Sequence, residues 1–223
     1  MFLTRMQING QRKESRRLLS SPQSMHAAVL AGFPDPRPTE DGRVLWRLDT
    51  YRNKVLLFIA SPDPPDLTHL VEQAGWPSTE TWQTKPYKPL LGSLRIGQQW
   101  HFRLAANPVR SGRRPGWADT KPMGHVTADQ QVQWLLDRSQ RLGFRCPPNR
   151  VDDSLPDVVV VDRGVQRFRR GNSRVTLAVA TFEGMLEVAD VDMLKRTLAF
   201  GIGRAKSYGC GLLTLAAPSQ VQR

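Results

Sequence analysis

An α+β chain of two successive halves, each running β-α-β-β-α-β, is predicted by three observations. The order of alternating and helix-period segments occurs twice, each half holds a pair of β-rich runs joined by a short turn, and a Pro-bearing polar stretch separates the halves. That order is the ferredoxin-like one, and two such domains in tandem, residues 1–89 and 90–223, are the expected architecture. With 223 residues, 39% of them hydrophobic, the chain can form two cores of about 100 residues each.

In the first half, Phe2 to Ile8 alternates like a half-buried strand and Ser24 to Ala31 has helical character. Val44 to Asp49 and Lys54 to Ala60 are β-rich and flank the turn Tyr51-Arg52-Asn53, which makes them a hairpin. Pro62 to Pro65 precede a short helix at Leu67 to Ala74. Trp76 to Pro89 has the composition of a linker, and the last strand of this half is not distinguishable. The second half is expected to run Gln98 to Ala106 as strand, Ala128 to Leu142 as helix, Val158 to Phe168 and Val175 to Phe182 as hairpin, Val191 to Phe200 as helix and Leu212 to Leu215 as strand. Thr127 and Asp190 are suited to cap its two helices, and Gly143 and Gly201 to end them.

Composition narrows the function. Lys and Arg number 32 against 20 Asp and Glu, a net charge of +12 that attracts polyanions. The excess is concentrated between Arg95 and Arg174, where 15 basic residues face 7 acidic ones and nearly all the cations are arginine, whose planar fork suits phosphates and guanine edges. Nucleic-acid binding fits this clustering better than a generally basic surface does, and no amphipathic basic helix points to a membrane. Cys146 and Cys210 show no pairing pattern, CxxC unit or histidine neighbours, so neither a disulfide framework nor a zinc site is expected, and no cofactor is implied. The N-terminus meets charge too early for a signal core, and the longest apolar run, Val55 to Ala60, is too short to cross a bilayer; a cytoplasmic protein is expected.

Gly201, Gly203, Gly209 and Gly211 bracket Arg204 and Lys206 in GIGRAKSYGCG, where backbone amides can face phosphates while the cations balance charge. The segment follows a helix and has Lys206 where a third glycine would fall, so it is neither a dinucleotide fingerprint nor a P-loop. A helix stop running into a tight turn accounts for Gly201 and Gly203 but not for the second pair.

The run FGIGRAKSYGCGLLTL, Phe200 to Leu215, resembles the C-terminal signature of the repeat-associated RNA-processing proteins, and specifically of the CasE endoribonucleases of type I-E Cascade. FRLAANP at Phe102 to Pro108, WLLDRSQRLGF at Trp134 to Phe144 and FEGMLEVAD at Phe182 to Asp190 fall in the order of that family. His26 and the AGFP at Ala31 to Pro34 stand where it carries its catalytic histidine and the end of its first helix. The resemblance implies metal-independent cleavage of the repeat hairpin in a CRISPR precursor transcript, with the mature guide RNA retained and other Cascade subunits as partners. It implies His26 as the catalytic residue, a role suited to an imidazole with a reference pKa of about 6.5. Many relatives carry a tyrosine three residues earlier, where this chain has Gln23, able to hydrogen-bond a phosphate oxygen but not to act as a phenolic acid. Arg16, Arg17 and Lys206 are candidates for stabilising the charged transition state.

For RNA recognition, Arg163, Arg167, Arg169, Arg170 and Arg174 form a basic hairpin suited to the shape and backbone of a stem. Arg110, Arg113 and Arg114 form a second patch in the long connection Asn107 to Val126, where Trp117 is a candidate for base stacking. The alternative to an endoribonuclease is a non-catalytic subunit that binds the guide RNA; a DNA-binding regulator lacks a recognition-helix motif.

Overall fold

The computed structural model describes residues 1–76, 82–112 and 121–218. In the first half, β1 (Phe2–Ile8), β2 (Leu45–Tyr51), β3 (Lys54–Ser61) and β4 (Trp82–Pro86) form an antiparallel sheet in the order β2-β3-β1-β4. Three helices, α1 (Lys13–Leu19), α2 (Pro22–Leu30) and α3 (Thr68–Ala74), complete the ferredoxin-like domain. Alternate residues Met6 and Ile8 of β1 and Leu57 and Ile59 of β3 are buried with Leu18, Met25, Val29 and Leu70 from the helices.

Two expectations are corrected here. The stretch from Trp76 to Pro89 is not only a linker, since it holds β4, an edge strand paired with β1 from Met6↔Trp82 to Phe2↔Pro86. Its lysine, glutamine and terminal proline suit an edge, where only one side must donate to a ladder, and hide it from a hydrophobic pattern. The first helical connection also contains two helices: α1 is mostly polar and buries only Ser15 and Leu18, and His26 therefore lies on the second helix.

The second half opens with α4 (Lys88–Ser93), whose Leu90 and Leu91 pack on the C-terminal core. It continues through β5 (Gln99–Ala106), a small hairpin β6 (Val109–Gly112) and β7 (Lys121–Gly124), α5 (Ala128–Ser139), β8 (Phe144–Arg145), β9 (Val158–Arg170), β10 (Ser173–Val188), α6 (Val191–Phe200) and β11 (Leu213–Ala216). The strand order is β11-β5-β10, with β9 and the short β8 sharing the far edge of β10. Its core joins Phe102, Leu104, Trp134, Phe144, Phe182, Leu194 and Leu198. The Thr127 hydroxyl accepts from the Gln130 amide and the Asp190 carboxylate from the Met193 amide, so both helices begin at the expected caps. Asn107 to Val126, read as a loop, includes the hairpin β6–β7. At its turn the β9–β10 ribbon runs longer than apolar alternation indicates, because that end is arginine-rich and exposed, and β10 continues inward to Val188 by pairing with β5 and β8.

The two sheets meet through Leu45, Ala60 and Leu212 and through one buried cation. Arg47, 2% exposed, holds Asp49 through Nε (2.7 Å) and Nη2 (2.8 Å). Across the junction its Nη1 donates to the carbonyls of Arg103 (2.8 Å) and Leu212 (2.9 Å), and its Nη2 to the Thr214 hydroxyl (2.9 Å). All five guanidinium hydrogens are thereby placed, three of them on the other half. Arg103 Nε adds an ion pair with Asp49 at 3.1 Å. The relative position of the halves, and so any site between them, depends on this clamp.

Candidate active site

Ser21 caps α2 by accepting from the Ser24 amide, with Pro22 in the first turn. Burial of Met25 and Val29 fixes the inward stripe of the helix and turns Gln23 and His26, three residues apart on one side, toward the C-terminal half. There they face the turn between α6 and β11. Gln23, His26, Arg43, Arg170, Arg204, Lys206 and Tyr208 line an open cleft of about 610 Å³, and no carboxylate of the described residues lines it. Nitrogen donors and cations of this kind suit an anion, not a hard divalent metal. Among the described residues, no group of three or more His, Cys, Asp or Glu is arranged to hold a metal ion.

The electrostatics follow from this lining. His26 is half-buried, and its pKa is lowered from the ordinary value of 6.5, first by burial and then by the charge of Arg43. Both causes favour the neutral imidazole over the imidazolium. Its Nδ1 accepts the Trp46 indole N–H at 3.3 Å. Lys206 is also lowered, by burial and then Arg43, and its Nζ donates to the Gly203 carbonyl at 2.7 Å. Arg43 lines the cleft, and its Nε is shielded from solvent without an acceptor among the described residues. Ala205, between the two basic residues of the segment, sits at φ +62°, a left-handed conformation that costs a non-glycine residue about 1–2 kcal/mol. Strain of that kind concentrates at functional turns.

The four glycines divide by role. The Gly201 amide donates to Thr197 and the Gly211 amide to Ala105, while the Gly211 carbonyl accepts from Ile202. Those two amides are thus used within the protein and are not free to face a phosphate. Gly203 lines the cleft. Gly209 answers the question left by the second pair, because at φ +79° a Cβ there would lie 2.8 Å from the Trp46 ring.

The basic ribbon has two faces. On one, Phe168 is buried against Tyr208 with ring centroids 4.8 Å apart, and Arg170 reaches the His26 cleft. On the other, Arg163 and Arg174 line a larger groove of about 940 Å³ with His125, shared at its end by Arg204 and Tyr208. Arg167 and Arg169 stand exposed along the ribbon, opposite Thr176 and Arg174. Arg110 is exposed on β6, whereas Arg113, Arg114 and Trp117 lie outside the described residues. Of the three residues suggested for transition-state charge, only Lys206 lines the cleft; Arg17 instead pairs with Glu14 at 2.7 Å. His69 Nε2 bonds the Ala28 carbonyl at 2.8 Å, away from the cleft. The cysteines are no nucleophiles, since burial pushes both thiols up to about 12.

Sequence reasoning missed Arg43, Trp46 and Tyr208. Arg43 and Trp46 flank the start of a hydrophobic strand and look there like an ordinary surface charge and a core aromatic. Tyr208 was visible inside the glycine-rich segment, but its place beside His26 depends on the turn geometry.

Two ferredoxin-like domains that close a cation-lined cleft around one histidine define a class, the tandem ferredoxin-like proteins with a basic junction. The family described as CRISPR associated protein matches residues 1–217, and this chain belongs to it. The CRISPR-associated endoribonuclease Cse3 of Thermus thermophilus is 30% identical over 223 residues, spanning 97% of this chain and 100% of that protein. The Cascade subunit CasE of Escherichia coli (strain K12) is 29% identical over 187 residues, 77% of this chain and 88% of that one. Thermus thermophilus Cse3 solved with an RNA representing a pre-cleavage complex superimposes with a TM-score of 0.79 at 30% identity, covering 96% of this chain and 98% of that chain.

Proposed function

We propose that this protein is a metal-independent endoribonuclease that cuts the repeat stem-loop of a CRISPR precursor RNA and stays bound to the mature guide RNA within Cascade. The observation that carries the reading is His26, an imidazole facing a cleft whose other described lining side chains are cations and neutral groups. The scissile phosphate sits between His26 and the guanidinium of Arg43, with Lys206 and Arg204 facing the same charge. The ribose 2′-oxygen attacks phosphorus, the bond from phosphorus to the 5′-oxygen breaks, and the products are a 2′,3′-cyclic phosphate and a 5′-hydroxyl. The 2′-hydroxyl gives up one proton and the leaving oxygen takes one. The cations answer the charge that grows on the phosphoryl oxygens in between.

In this reading residues 1–89 form the domain that supplies His26, and residues 90–223 the domain that supplies the RNA-holding surface. The exposed Arg163, Arg167, Arg169 and Arg174 face of the ribbon lies along the stem, read by shape and backbone, while Arg110 is exposed on β6, whose Val109 lines the same groove. Gly203 lets the segment approach the RNA backbone, while Gly201, Gly209 and Gly211 shape the turn that presents Arg204 and Lys206. No helix among the described residues is long and apolar enough to cross a membrane, and the reading places the protein in the cytoplasm.

The test is incubation with the cognate repeat hairpin in EDTA. Cutting at a single phosphodiester, with a 2′,3′-cyclic phosphate on the upstream product, is the expected result. A requirement for divalent metal overturns the mechanism, and tight binding without cutting supports the non-catalytic reading.

A further inference from the structure

The contact between Trp46 and His26 runs against the usual arrangement of a catalytic histidine. Commonly a carboxylate or carbonyl accepts the Nδ1–H, which leaves Nε2 with a lone pair to act as a base. Here the partner of Nδ1 is an indole N–H, which can only donate. A neutral imidazole that accepts at Nδ1 carries its single proton on Nε2. Among the described residues no carboxylate lines the cleft to reverse this, and the charged groups that do line it, Arg43, Arg170, Arg204 and Lys206, are all cations that oppose an imidazolium, beside the uncharged side chains of Gln23 and Ser207 and the Tyr208 phenol.

We infer that Trp46 is a positioning residue that holds His26 as the Nε2–H tautomer, so that His26 meets the RNA as a hydrogen-bond donor to a phosphoryl oxygen and not as a base. The donor is 2% exposed and cannot swing away, because the chain at Gly209 lies against its ring closely enough that a Cβ would fall 2.8 Å from it. The glycine-rich segment thus acts on the histidine through the tryptophan: Gly209 seats the indole, the indole orients the imidazole, and Arg204 and Lys206 of the same segment face the cleft that the imidazole enters. This assignment rests on the reading of the cleft as the cleavage site, but the tautomer itself is a property of the free protein.

Nitrogen NMR of imidazole-labelled protein without RNA reads the tautomer directly. The expected spectrum at pH 7.5, chosen about one unit above the ordinary histidine pKa, shows an unprotonated Nδ1 and a protonated Nε2 for His26. Trp46→Phe keeps an aromatic ring against Gly209 and removes the N–H. It should give a mixture of tautomers, raise the His26 pKa because a bond specific to the neutral form is lost, and slow single-turnover cleavage about three- to tenfold at saturating RNA with affinity unchanged. A protonated Nδ1 in the unmodified protein overturns the inference, as does a Trp46→Phe protein with the original tautomer and rate. The spectrum needs no variant to fold. If His26→Ala retained full activity the cleavage reading would fail, while the tautomer result would stand or fall separately.

Discussion

Replacing His26 with alanine is expected to slow cleavage of the repeat hairpin on the order of 10²- to 10³-fold while leaving affinity within about twofold of the original. The separation follows from charge. Affinity for RNA comes mainly from cations that displace counterions, and the charged form of His26 is disfavoured by burial and Arg43, so it adds little to them. Its contribution is confined to the phosphate at which charge builds. Single-turnover rates beside equilibrium binding measure both quantities. Wild-type cleavage by the variant would remove His26 from the mechanism, and a parallel loss of binding would make it a docking residue.

The second large effect is expected at Arg47, which lines neither the His26 cleft nor the larger groove beside the ribbon. Arg47→Ala leaves the nearly buried Asp49 with only the Arg103 ion pair and strips donors from the Arg103 and Leu212 carbonyls. Loss of one partner from a buried, fully bonded ion pair costs about 3–5 kcal/mol. For a chain of this size that lowers the midpoint of thermal unfolding by roughly 10 °C. Lysine cannot replace it, having three donors at one point instead of a planar fork that reaches two strands of the other half. Urea unfolding followed by tryptophan fluorescence measures the change, and a loss under about 1 kcal/mol would class the clamp with ordinary surface pairs.

Most of the fold was legible because most of its elements carry a local signal. The β2–β3 hairpin announces itself through β-rich runs around Tyr51-Arg52-Asn53, and α5 and α6 through Thr127 and Asp190, whose side chains cap as the sequence indicates. The elements that escaped are those whose stability comes from elsewhere. β4 is an edge strand with lysine and proline that exists because β1 offers it a ladder, α1 buries a serine and a leucine, and α4 hides behind Pro89 while its leucines pack on the second core. The candidate site shows the same division. His26, Arg170, Arg204 and Lys206 could be named from their motifs, but that they line one cleft is a tertiary fact joining positions far apart in the chain. Arg43 and Trp46 carry no motif at all. Their part arises only when the glycine-rich segment folds over β2, and with it comes the reason for Gly209.

In the proposed mechanism the scissile phosphate lies against His26. The most direct measurement follows the His26 ring resonances while the protein is titrated with a repeat hairpin carrying a 2′-deoxyribose before the cleavage point, which binds but lacks the attacking oxygen. A phosphate there sets a negative charge beside an imidazole whose pKa burial and Arg43 hold down, so the resonances should shift and the His26 pKa should rise on binding. Tight binding that leaves both the resonances and the pKa of His26 unchanged would contradict the account.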